Sequence, residues 1–515
     1  MNKKTKSIST LVTTLITVVI AGSVILSLLP SKNQSQTNAR ETPSEAKITV
    51  TPVSAEAIAL MEAGGTAMAQ ENYQKAVEAY SNTIELLPNN ADAYKQRSLA
   101  FTALRFFRKA ENDISTAIEL SEENGELLKQ RADLYILMEE YALAADEYTK
   151  LIEINPTDLE TYNNRSIAYI RLGELENALS DLKYVIETVP DHPNAYINRA
   201  LIYESTNQFD DAVADYSKAI ELSSDDTGNI YARRGLIYAQ MEKPSEALAD
   251  FKQAIIQGVE DETIYNERGR IYSTTGQFDA ALTDFNKALA INPQNPAIYY
   301  NRGAVHINIQ EYDLAIADYS QAIELDPTNA VYYNNLGIAS YLNGDTEEAI
   351  TAYDQAIEEE PDYILAYQNR ANAYVQNDQK ELAIEEYSKV LEMDPEESEA
   401  YYNRGIVYYQ FRKFDLAMDD FTIIIEEEMP NIVQALNMRS IIYSIRKQYH
   451  PALDDLNAAI EYAPEYATSY HRRAIIHKYL GKTPEAIKDL ERYLDLETNP
   501  ELREEAEKLL QTLGK

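Results

Sequence analysis

The chain has 515 residues, 45% of them hydrophobic, with 84 acidic residues against 46 basic, a formal charge of −38 and no cysteine. Without cysteine there are no disulfides, no thiol catalysis and no Cys-ligated zinc or iron–sulfur site. Residues 1–50 carry six Lys/Arg and two Glu, so the remainder carries −42; such a surface repels phosphate backbones and argues against a nucleic-acid partner. It favours basic or neutral partners and speeds their approach at low salt, and it also keeps a long chain soluble. Tyrosine occurs 39 times against ten Phe and no Trp. A tyrosine fills space between helices while its hydroxyl reaches water, which suits a thin two-layer protein.

At the N-terminus Lys3, Lys4 and Lys6 precede Ile8–Leu29, 22 residues without a charge. A helix of that length spans about 33 Å, enough for the roughly 30 Å hydrocarbon core. The lysines favour a cytoplasmic N-terminus, placing everything after Leu29 on the extracytoplasmic side, periplasmic or extracellular. The expected organisation is a cytoplasmic tip and transmembrane anchor over residues 1–29 and a flexible linker over 30–56, rich in Ser, Thr, Asn, Gln and Pro. A cleaved signal peptide is the alternative. Its apolar region would be unusually long, and no small-x-small site directly follows Leu29.

From residue 57 the chain repeats. In Tyr299–Pro327 two apolar stripes of helical period are broken near Gln310–Glu311 and closed by Asp326-Pro327. The pattern returns every 34 residues, which predicts two-helix hairpins stacked in series. Numbering each repeat 1–34 puts an alanine at position 20 thirteen times, from Ala76 to Ala486, with two steps of 35 near Thr227 and Ile432. Proline closes many repeats at position 32, as at Pro88, Pro156, Pro293 and Pro464, because it cannot continue the preceding helix. Glycine stands near position 8 at Gly64, Gly235, Gly269, Gly303, Gly337 and Gly405, with Ala or Ser elsewhere. After the last repeat, Leu502, Ala506, Leu509, Leu510 and Leu513 form one stripe, so residues 501–515 read as a capping helix.

This residue set resembles the tetratricopeptide repeat: aromatic at 4, small at 8, aromatic at 11, Ala at 20, aromatic at 24, small at 27, Pro at 32. The resemblance covers residues 57–500. It implies an all-α, right-handed α-solenoid of about thirteen helix pairs, with the first helices lining a concave groove and the second helices outside. Positions 2, 5, 6, 9, 12 and 13 would then face the groove.

Position 7 is Arg in eleven repeats and position 23 is acidic in the same eleven. The two exceptions have Ala63 and Leu336 at position 7 and Ala79 and Ala352 at position 23. Both charges vanish together, which predicts an ion pair between helices, because one buried charge without the other is costly. These arginines therefore read as structural.

Position 6 is Asn at Asn164, Asn198, Asn301, Asn335, Asn369 and Asn403, the last four at consecutive 34-residue steps. An amide offers one donor group and one acceptor, matching a peptide unit of an extended chain. The pattern is similar to the asparagine ladder in the repeat superhelix of O-GlcNAc transferase, and Asn is also common at this position across the family as a surface residue. Asn372 and Tyr402 fall on neighbouring groove positions and complete the candidate peptide-binding set. The Lys/Asn pattern of chaperone-tail binders is not reproduced: beside Lys95 and Lys129 at position 5, position 9 holds Leu99 and Asp133.

Five histidines are too scattered for a catalytic or metal site; His471 and His477 are six apart and do not share a helix face. His306 and His477 occupy the aromatic position 11, where a packed histidine is expected. With no phosphate-binding glycine loop, no His-Glu-x-x-His and no room for a catalytic domain outside the repeats, the chain is expected to be no enzyme and to need no cofactor or metal. The expected function is a scaffold tethered to a membrane through residues 8–29 that binds protein or peptide in its groove. An adaptor subunit for an envelope-modifying or glycosyl-transferring enzyme is the alternative, implied only by the family resemblance.

Overall fold

The structure is a computed structural model and describes residues 55–121, 125–224 and 227–514. The proposed anchor over 8–29 and the linker as far as residue 54 lie outside the described residues. Among the described residues all regular secondary structure is helical, and no helix is long and apolar enough to cross a membrane. The helices form two compact units, one ending at Glu260 and one starting at Asp261. The first contains six helix pairs, from Ala55–Ala69 to Pro244–Ile256. The second contains seven, from Glu262–Thr274 to Thr483–Leu496, and then a single helix, Pro500–Thr512. Within each unit every helix packs on its neighbours in sequence, so each is a repeat solenoid.

The turn inside each pair is set by one backbone state. Position 15 has φ between +56° and +93° in all thirteen repeats, yet only Gly173, Gly276, Gly344 and Gly481 are glycine there. An L-residue in this region is strained, but the turn closes two hydrogen bonds in return. In the repeat containing Gln310, its N–H donates to Ile307 O at 3.0 Å and Glu311 N–H to His306 O at 2.9 Å, the pattern of a left-handed helix cap. First helices then start on side-chain caps, as where Asn295 accepts from Ala297 N and Asn329 from Val331 N.

Packing within a pair follows from size. All thirteen position-20 alanines have zero exposure, which lets the two backbones approach. The position-24 ring then fills the space over position 8: a Cβ built on Gly303 would lie 2.9 Å from Cε1 of Tyr319, so only a small residue fits there.

All eleven position-7 arginines bond the position-23 carboxylate of their own repeat. The nine pairs with Asp are two-pronged, Nε and Nη2 each meeting one carboxylate oxygen at 2.6–3.0 Å. Nine arginines also donate Nη1 to the position-25 side chain of the preceding repeat, as Arg302 does to Asn286 and Arg404 to Ser388. Ahead of Arg199 that position is Lys183, which has no acceptor. Aromatic residues at 4 and 11 flank the guanidinium: Arg165 lies 5.5 Å from the ring centres of both Tyr162 and Tyr169. His306 and His477 take the position-11 place, each with Nε2 within 3.8 Å of the bridging carboxylate.

Where the pair is missing, the ring sits closer. A Cβ on Gly337 would lie 2.5 Å from Tyr353, and one on Gly64 nearer still to Tyr80, against 2.7–2.9 Å at Gly235, Gly269, Gly303 and Gly405. The final helix buries Ala506 and packs Leu509, Leu510 and Leu513 on Leu490 and Tyr493. Leu502 is 42% exposed, so the covering stripe is narrower than the sequence stripe.

The two pairs with Glu in place of Asp keep a single prong, Arg131–Glu147 and Arg370–Glu386. The extra methylene misaligns the fork, leaving Nε of Arg131, Nε of Arg370 and one Glu147 oxygen buried without a partner. Glu147→Asp should restore the second bond. Hydrogen exchange over residues 125–158 of the full chain is expected to report an opening free energy higher by about 1 kcal/mol; an unchanged or lower value would contradict this.

Candidate functional site

In the second unit, three successive first helices face a common cleft of about 540 Å³. Ala330–Asn343 contributes Ile338, Tyr341 and Leu342, Ile364–Gln376 contributes Asn369, Asn372, Val375 and Gln376, and Ser398–Gln410 contributes Asn403, Ile406 and Val407. In repeat numbering these are positions 6, 9, 10, 12 and 13. The buried rings of Tyr353 and Tyr387, from the second helices Thr346–Glu359 and Lys380–Met393, complete the lining. None of the twelve lining side chains is charged at neutral pH, in a chain of net charge −38.

The amides differ in what they leave open. Asn372 Oδ1 accepts from Tyr387 OH at 2.6 Å, so its NH2 group remains a donor. Asn369 donates Nδ2 to Asn334 Oδ1 at 2.9 Å, so its carbonyl remains an acceptor. Asn403 has no side-chain hydrogen bond and offers both. Burial pushes the phenols of Tyr353 and Tyr387 well above their ordinary pKa, aided at Tyr353 by Tyr341 and at Tyr387 by Glu399 and Tyr341, so both rings stay neutral.

Of the eight candidate residues, Asn369, Asn372 and Asn403 meet in this cleft. Tyr402, beside Asn403 in sequence, packs its ring 6.0 Å from Phe421. Asn335 bonds back to Val331 O at 2.8 Å. Asn301 and Asn198 donate to position-5 asparagines one repeat earlier, Asn266 and Asn163, each at 2.9 Å. Asn164 and Asn198 belong to the first unit. Position 6 is therefore tied to position 5 of the preceding repeat wherever both are Asn, a coupling that the 35-residue spacing Asn163–Asn198, Asn266–Asn301 and Asn334–Asn369 carries in the sequence. The position-24 tyrosines carry no sign of facing a groove, because they are core residues in every repeat.

With helix pairs, a small–aromatic contact and an open first-helix face established, the class is a helix-pair repeat protein. The repeats are tetratricopeptide repeats. A family model described as "TPR repeat" matches residues 269–309, 339–378 and 371–410. Models described as "Tetratricopeptide repeat" match 193–226 and 296–329, 147–180 and 319–351, and 127–158 and 228–255. No curated protein matches the chain. Similar solved structures include YrrB, described as a TPR protein with an unusual peptide-binding site, at 28% identity and TM-score 0.34, covering 36% of this chain and 95% of that one. A tetratricopeptide repeat protein from Parabacteroides merdae has 20% identity and TM-score 0.40, covering 48% and 98%. The anaphase-promoting-complex pair Cut9–Hcn1 has 13% identity and TM-score 0.37, covering 90% and 97%.

Proposed function

We propose that the chain is a non-enzymatic scaffold that holds an extended, uncharged stretch of a partner peptide in the cleft of Asn369, Asn372 and Asn403, tethered to a membrane through residues 8–29. The observation carrying the binding reading is the free hydrogen-bonding capacity of the three amides. One donor group, one acceptor and one residue offering both lie among aliphatic and tyrosine side chains, which is what a peptide backbone with apolar side groups presents in mirror image. An uncharged cleft on an acidic protein avoids desolvating a charge when it fills. Backbone-directed amides hold a chain largely independently of its sequence, which suits a scaffold with several partners.

Peptides for the test come from panning a phage-displayed dodecapeptide library on the full chain. Peptides so selected should bind Asn369→Ala/Asn372→Ala/Asn403→Ala, with helicity unchanged, at least about tenfold more weakly, the value for loss of two or three hydrogen bonds. Equal affinity in that variant removes the cleft.

The tether rests on 22 uncharged residues behind Lys3, Lys4 and Lys6. In fractionated cells the full chain should remain with membranes through an alkaline wash and be released by deletion of residues 8–29. A chain that washes off intact contradicts the anchor. A single enzyme cross-linked to it in equal amount would instead make it that enzyme's adaptor.

A further inference from the structure

Six of the thirteen position-24 residues are tyrosines, and their hydroxyls fall into two groups. Those of Tyr148, Tyr216 and Tyr387 donate to the first helix of their own repeat: to Asp133 at 2.6 Å, Glu204 at 2.8 Å and Asn372 at 2.6 Å. Those of Tyr80, Tyr319 and Tyr353 have no hydrogen-bond partner among the described residues. Position 9, which supplies the acceptor to Tyr148 and Tyr387, is Gly65, Ala304 and Ile338 in those three repeats. Of the three free phenols, Tyr353 is the one that lines the cleft. Its ring lies hard against the helix beside it: a Cβ on Gly337 would be 2.5 Å from Cε1 and 2.9 Å from Cζ, the carbon that bears the hydroxyl. Only 2% of the residue is exposed, yet the hydroxyl oxygen is not sealed in. A fixed ring thus presents an unpaired phenol at the floor of the cleft.

We propose that the Tyr353 hydroxyl sets the side-chain preference of the cleft, selecting an uncharged amide, Gln or Asn, in the bound peptide. The inference rests on the peptide-binding reading and names the side chain that the partner inserts. Asn369, Asn372 and Asn403 stand on first helices, whereas Tyr353 stands on the second helix Thr346–Glu359 behind them. A side chain has to pass between first helices to reach the phenol, which favours the length of Gln or Asn over that of Ser or Thr. An amide carries a carbonyl that accepts from the phenol and N–H groups that donate to it, so the contact forms in either orientation of the hydroxyl. A carboxylate or an ammonium would lose its water in a cleft whose lining holds no charge. An aliphatic side chain of the same size would strip water from the phenol and give nothing back, which is how a polar site rejects an apolar isostere. Position 24 is filled equally well by a ring without a hydroxyl, as at the fully buried Phe251, Phe285 and Phe421, so the hydroxyl of Tyr353 is not needed for packing.

The test uses the full chain and synthetic copies of peptides selected by panning on it. The selected sequences should share one Gln or Asn, and replacing it by its apolar isostere, Met for Gln or Leu for Asn, should weaken binding about tenfold, the value of one or two hydrogen bonds. Glu or Asp in its place should weaken binding at least as much. Tyr353→Phe should weaken the parent peptide by about the same tenfold and bind the parent and its isostere equally. Tyr319→Phe, which removes a free position-24 hydroxyl outside the cleft lining, should change nothing. Full affinity of the parent peptide for Tyr353→Phe, or an isostere penalty that persists undiminished in that variant, would overturn the contact; if Asn369→Ala/Asn372→Ala/Asn403→Ala still loses the peptide, the cleft stands without it. Tighter binding of the acidic peptide than of the parent would refute the uncharged amide. Failure of the library to enrich any peptide would overturn both readings together.

Discussion

A guanidinium clamped between two helices is the interaction that the rest of this protein depends on. In each of eleven repeats the position-7 arginine reaches across to the position-23 carboxylate of its own pair, and in nine it also reaches back to position 25 of the preceding pair. One side chain thus joins three helices. Its charge is neutralised at short range, its flat faces lie beside aromatic rings, and its partners are largely shielded from water: the Arg302 side chain is 22% exposed and that of Asp318 is 6% exposed. Paired and hydrogen-bonded in this way, the charge is tolerable; alone it would not be.

Two consequences follow for the functional face. Because the structural charge lies between first and second helices, the first-helix positions 6, 9, 12 and 13 are not needed for it. In the three repeats that line the cleft they are amide, tyrosine and aliphatic side chains. The repeat that forms one wall of the cleft is also the interior repeat lacking the bridge, with Leu336 and Ala352 in its place and Tyr353 drawn tightly against Gly337. Dropping both charges leaves a pair with no ion pair between its two helices, next to a cleft that is itself uncharged.

The period, the position-20 alanine and the joint loss of Arg and acid in two repeats are legible in sequence because each is sampled thirteen times in one chain, so chance coincidences cancel. The Asp and Glu versions of the bridge look interchangeable on that basis; only geometry separates them, since one methylene decides whether Nε finds its oxygen. The site is less legible than the fold. Asn369, Asn372 and Asn403 are visible as groove amides, but the register does not show that Asn198, Asn301 and Asn369 alike donate to a position-5 asparagine one repeat earlier while Asn403 does not, because what precedes an amide by one repeat determines whether its donor is free.

The account turns on the coupling between the two charges of a bridge, and the chain supplies its own control in Leu336 and Ala352. In the full chain, hydrogen exchange over residues 296–329 measures the opening free energy of one repeat in Arg302→Leu, Asp318→Ala and the double variant. Each single change is expected to lower it by about 2–4 kcal/mol, because a half-buried charge is left unpaired, and the double variant to recover most of that loss. Losses that simply add in the double variant would contradict the account.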